Sequence, residues 1–162
     1  MRKNHSCAFY YIKHLIMVRL KIPKPYQIWF FCLLATSWCS GLTFFILSKW
    51  FIVEGKYGLV KHAWQFPALQ IHGFAAFFMM ISFGFLLGSH VPYSWNSKDK
   101  RKSGIALLAM PTFLIITAYL LYYIAEDTNR EWVAYAHLAV GFTLPVILIL
   151  HILTKIKQRQ NP

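Results

Sequence analysis

Four uninterrupted apolar runs, each about as long as a bilayer's hydrocarbon core is thick, restrict this chain to one broad kind of structure. They occupy roughly Ile28–Phe51, Pro67–His90, Gly104–Ala125 and Glu131–Lys155. About 20 apolar residues suffice for a helix to cross a hydrocarbon layer of about 30 Å. Lipid offers no partner to an unpaired backbone group, so runs of this length must form helices. Hydrophobic residues make up 57% of the 162 and charged residues only 14%, so the bilayer supplies much of the burial. The expected fold class is all-α: an integral membrane four-helix up-down bundle.

The formal net charge of +12 could signal nucleic acid, but its placement argues otherwise. Residues 1–27 hold Arg2, Lys3, Lys13, Arg19, Lys21 and Lys24 with no acid. Together with the second loop (Lys98, Lys100, Arg101, Lys102) and the C-terminus, they account for 13 of the 17 Lys and Arg residues. The first and third loops with the run ends that flank them hold the other four, Lys49, Lys56, Lys61 and Arg130, against Glu54, Glu126, Asp127 and Glu131. By the positive-inside rule, both termini and the second loop are cytoplasmic. The basic excess therefore encodes orientation, and no nucleic-acid partner is expected.

Three segments follow: a basic membrane-surface segment over 1–27, a transmembrane domain over 28–155 and a basic tail over 156–162. The first apolar run is too long for a signal-peptide core and no small-residue cleavage pattern closes it, so it reads as a retained span. Pro67 suits the first turn of the second helix, and Pro92 is expected to end that helix. Pro111 and Pro145 lie inside the third and fourth helices as kink positions. The stretch between the first two helices, VEGKYGLVKHAWQF, reads as a loop. Tyr119, Tyr122 and Tyr123 fit an interfacial aromatic belt. Cys7, Cys32 and Cys39 match no metal or haem-attachment pattern and read as small hydrophobes.

Ionisable residues inside a span are costly and mark function by default. The second run carries His72 and His90, and the fourth carries His137 and His151. Eighteen residues separate the first pair, close to five full turns; fourteen separate the second, about 40° short of four turns. Each pair thus shares one face of its helix. The topology runs both helices in the same direction, placing His72 and His137 near the outer side and His90 and His151 near the inner side.

Paired imidazoles at two depths suit bis-histidine haem b, since iron in a planar macrocycle takes one axial ligand on each side. Zinc would want three or four donors at one depth, and no Cys, Asp or Glu lies level with these histidines. Ala76 and Gly141 each follow an outer histidine by four residues, where small side chains let backbone approach a flat ligand. Gly41, Gly84 and Gly88 could do the same, although small residues also simply let membrane helices pack. The unequal spacings span roughly 27 Å and 21 Å, so the outer pair matches more directly than the inner. His5, His14 and His62 read as surface residues.

With HGFAAFF, GFLLGSHVPYSW and YLLYYIAED in view, the chain resembles the four-helix core of membrane di-haem b-type cytochromes, the cytochrome b and cytochrome b561-like superfamily, over about Pro67–Leu153. The resemblance implies two haems b ligated by His72 with His137 and by His90 with His151. It further implies electron transfer across or within a bacterial inner (cytoplasmic) membrane. A quinone could exchange electrons near either surface, with Tyr119, Tyr122 and Glu126 as candidate outer contacts, although belt tyrosines need no such role. A redox partner protein or larger membrane complex follows, with the chain as the cytochrome b subunit of a membrane oxidoreductase. The alternative is a haem-free structural or assembly subunit, since the chain has no nucleophile–base pair and no nucleotide loop.

Overall fold

The computed structural model describes residues 23–95 and 101–160. The basic segment over 1–22, and Lys98 and Lys100 of the second loop, lie outside the described residues. Four helices form the framework: α1 (Lys24–Trp50), α2 (Gln65–Trp95), α3 (Arg101–Tyr123) and α4 (Asp127–Gln160). Each is long and apolar enough to cross a membrane, which makes the chain a multi-pass membrane protein.

Burial is inverted relative to a water-soluble core. Among the described residues only seven are buried: Leu33, Ala68, Ala75, Leu144, Ser40, Ser82 and Thr117. Five of these are Ala, Ser or Thr, the small side chains that let helices approach closely in lipid. Large apolar groups such as Trp29, Phe74, Ile116 and Leu153 are instead exposed on the outside, where acyl chains would cover them.

The helices pair as two hairpins. Contacts advance along α1 as they retreat along α2: the Tyr26 hydroxyl donates to the Ser82 carbonyl at 2.7 Å, Trp29 meets Phe78 edge-on, and His72 reaches Ser37. On the other side α3 and α4 pair through Ser103 with His151 and Thr117 with His137. The hairpins face each other through α1 and α4. Trp38 packs edge-on against Phe142 at 5.3 Å, Phe45 meets Tyr135, and Lys49 pairs with Glu131. The Tyr135 hydroxyl donates to the same carboxylate at 2.8 Å.

Several boundaries differ from the sequence expectation. α1 begins at Lys24 behind Pro23, inside the expected surface segment. A proline in the first helical turn loses no hydrogen bond, and Pro25 occupies that turn. α2 starts at Gln65 and continues through Pro92 to Trp95. Pro92 removes the helical donor to the Gly88 carbonyl, a loss that spanning helices tolerate. α4 extends to Gln160, so the basic tail is largely helical.

The first loop is a β-hairpin, Ile52–Gly55 (β1) against Gly58–Lys61 (β2), with Val53 opposite Val60 and Gly55 opposite Gly58. The two-residue turn Lys56–Tyr57 is closed by Gly58, whose φ of +124° is accessible to glycine and strained for other residues. β-branched Ile52, Val53 and Val60 favour strand, a signal diluted by the charges among them. His62 then launches α2. Its carbonyl accepts the Gln65 N–H at 2.9 Å and its Nδ1 accepts the Trp64 N–H at 3.2 Å.

The start of α4 is capped by Glu126, whose carboxylate accepts the Asn129 N–H at 2.7 Å and the Thr128 N–H at 3.0 Å. Those bonds hold its pKa below the ordinary 4.5. A carboxylate with a depressed folded-state pKa stabilises fully above its unfolded value, and the contribution is lost as pH falls through the folded value. The stability difference between wild type and Glu126→Gln, read from pH-dependent melting in detergent, is therefore expected to be constant above 4.5 and to shrink below it.

A candidate two-histidine centre between the hairpins

One level of the molecule draws a residue from each of the four helices: Gly41 from α1, His72 from α2, Thr117 from α3 and His137 from α4. The imidazoles of His72 and His137 face each other with ring centres 6.3 Å apart and planes at 79°. Both rings are half-buried.

Each ring is anchored through the same nitrogen. His72 Nδ1 lies 2.8 Å from the Ser37 carbonyl oxygen. A carbonyl can only accept, so Nδ1 of this ring carries a proton and donates it. His137 Nδ1 lies 2.7 Å from Thr117 Oγ1, and Thr117 is buried.

The approach of His72 to α1 depends on Gly41. A Cβ at that position would stand 2.8 Å from His72 Nδ1 and 2.9 Å from Cε1. On a helix the side chain at i+4 covers the turn before it, so a side chain at 41 would screen the Ser37 carbonyl. Glycine leaves that carbonyl open to the imidazole. Around the second ring, Gly141 has space: an added Cβ would meet only Leu114 Cδ2, at 4.0 Å. Pro145 also removes the helical donor to the Gly141 carbonyl. Ala76 is half-buried on α2.

Chemically, two imidazoles whose Nδ1 atoms are engaged by neighbouring helices would, in the neutral Nδ1–H form, have their Nε2 lone pairs to offer a single metal. Two rings sharing one metal at metal–nitrogen lengths of about 2 Å have centres about 6 Å apart, close to the 6.3 Å observed. The Nδ1 bonds are of the kind that fix tautomer and orientation for metal-bound histidine. Among the described residues no three His, Cys, Asp or Glu side chains cluster, so the donor set here is a facing pair.

Near the start of α3, His151 Nδ1 lies 2.9 Å from Ser103 Oγ, repeating the Thr117–His137 arrangement fourteen residues along each helix. His90 is half-buried on α2. The remaining sequence candidates have other surroundings. Glu126 is occupied in capping α4, Tyr119 stacks on Tyr123 at 4.6 Å, and Tyr122 is exposed. Gly84 and Gly88 face open space and form no packing seam among the described residues. Cys32 and Cys39 are free and lie on the exposed side of α1.

The sequence reading passed over Ser37, Thr117 and Ser103 and gave Gly41 an ordinary packing role. The Ser37 contact is made by a backbone carbonyl and leaves no residue-type signal. Ser103 and Thr117 do leave one, because they stand fourteen residues apart, the spacing of the α4 histidines. No family model, no curated protein and no solved structure matches this chain.

Proposed function

We propose that the protein is a membrane b-type cytochrome in which His72 and His137 ligate a haem b between the hairpins. The reading places a second haem b at His90 and His151. The observation that carries it is the facing imidazole pair, 6.3 Å between ring centres, with both Nδ1 atoms tied to partners on neighbouring helices. Gly41 seats the His72 ring against α1, while Gly141 leaves open space beside the second ring and Ala76 keeps the side chain small on α2. The bound haem supplies a one-electron couple.

The chain's own residues then do three things. His72 and His137 hold the group, Ser37 and Thr117 hold the histidines, and the exposed apolar faces keep the site in lipid. On this reading the four helices run up and down through a bacterial inner membrane with both termini in the cytoplasm. Charge placement and the successive antiparallel contacts both support that arrangement. Electrons would be exchanged with a quinone or with a partner protein of a larger complex, making this the cytochrome b subunit of an oxidoreductase.

The test is a dithionite-reduced minus oxidised spectrum of the detergent-purified protein, with haem counted as its pyridine adduct. One or two haems b per chain are expected. A colourless protein from haem-replete cells would end this reading and favour a haem-free structural subunit.

A further inference from the structure

The helix α3 carries no histidine, yet it touches both of those on α4. Thr117 Oγ1 lies 2.7 Å from His137 Nδ1 and Ser103 Oγ lies 2.9 Å from His151 Nδ1. The two hydroxyls are fourteen residues apart, as are the two histidines. Two paired helices with the same rise keep one register, so a single alignment of α3 on α4 serves both contacts, roughly 21 Å apart. Other hydroxyls on α3 and α4, at Thr112 and Thr143, return only to their own helix backbone.

At Thr117 the direction of the bond can be worked out. Its hydroxyl has one proton and lies 2.8 Å from the Phe113 carbonyl and 3.1 Å from that of Leu114. Donation to the preceding turn is the usual bond of a helical threonine. If the proton pointed at His137 instead, the hydroxyl oxygen would face both carbonyl oxygens lone pair to lone pair in a buried position. The hydroxyl therefore gives its proton to the helix backbone and takes one from His137 Nδ1–H.

We propose that α3 is the positioning element for the α4 histidines. Thr117 holds His137 as the Nδ1–H tautomer with the Nε2 lone pair turned toward His72, and Ser103 restrains His151 in the same register. The tautomer assignment stands on the geometry alone; its consequence for haem affinity rests on the cytochrome reading. The two outer ligands then have unequal supports, a backbone carbonyl for His72 and a side-chain hydroxyl for His137. Only the second can be removed by substitution without disturbing the main chain.

The experiment uses the full chain in lipid nanodiscs, haem-free, with ring-nitrogen-labelled histidine. The His137 signals are assigned by their loss in His137→Ala. In wild type and in Thr117→Ser, which keeps a hydroxyl, His137 is expected to be protonated at Nδ1. In the near-isosteric Thr117→Val it should shift toward the Nε2–H form, and in the lipid-facing control Thr112→Val it should not.

Haem titration of the same samples should show Thr117→Val weakened by about 10- to 100-fold, the usual cost of losing a metal ligand's hydrogen-bond partner, with Thr117→Ser restoring affinity. His137 protonated at Nε2 in wild type, or unmoved in Thr117→Val, would overturn the proposal. A wild-type protein that shows the expected tautomers and takes up no haem would uphold the positioning role and refute the cytochrome assignment instead.

Discussion

Replacing His72 or His137 by alanine is expected to remove one haem per chain, while His90→Ala leaves that haem in place. On the proposed cytochrome reading the cause is coordinative: His72 and His137 would hold the haem together, and either substitution would remove one of the two imidazoles. If both sites are filled in the wild type, the reduced-minus-oxidised absorbance should fall by about half in either outer variant. The remaining haem should keep its own spectrum and potential. Each variant should also melt earlier, because a ligand bound only to the folded state stabilises it by mass action. Equal haem content in His72→Ala and wild type would refute ligation by this pair, even if the protein were coloured.

Gly41→Ala is expected to be the most damaging single-methyl change in the spans, and Gly84→Ala is its control. In an open helical position, alanine is better than glycine by about 0.5–1 kcal/mol. Gly84 meets nothing within 4 Å, so that gain should appear there as a modest rise in stability. At Gly41 the same methyl would stand 2.8 Å from a ring nitrogen, and overpacking costs about 1–3 kcal/mol. The steric cost exceeds the propensity gain, so the sign reverses. The ring cannot yield cheaply, because its retreat breaks the bond to the Ser37 carbonyl and shifts Nε2. Melting in detergent and haem titration of the two variants should therefore move in opposite directions for stability, with haem lost only in Gly41→Ala. A Gly41→Ala protein that binds haem like wild type would show that His72 does not need its seat on α1.

Much of the framework was legible because it depends on local composition. An apolar run of spanning length has to be helical in lipid, and the four runs predict the four helices. Which small residues sit where helices meet was not legible: Gly84 and Gly88 face open space, while Ala68, Ala75, Ser40, Ser82 and Thr117 are buried along with Leu33 and Leu144. Helical periodicity put His72 and His90 on one face of their helix and His137 and His151 on one face of theirs, and the expected topology set His72 level with His137; the structure brings these two rings to 6.3 Å.

The helix ends were less legible. Pro92 reads locally as a stop, but the loss of one backbone donor is small against the rest of a 31-residue helix. The β-hairpin was hidden because four-residue strands are too short for alternation to stand out among lysines and a glutamate.

By itself, then, the amino-acid sequence determined a four-span helical membrane protein with histidines on two of its helices. Only the tertiary structure decided how those histidines are held. Periodicity places a residue on a face, whereas the partner across that face depends on the register between two helices far apart in the chain. That register brings the Ser37 carbonyl to His72 across the bare backbone of Gly41, and the Thr117 hydroxyl to His137.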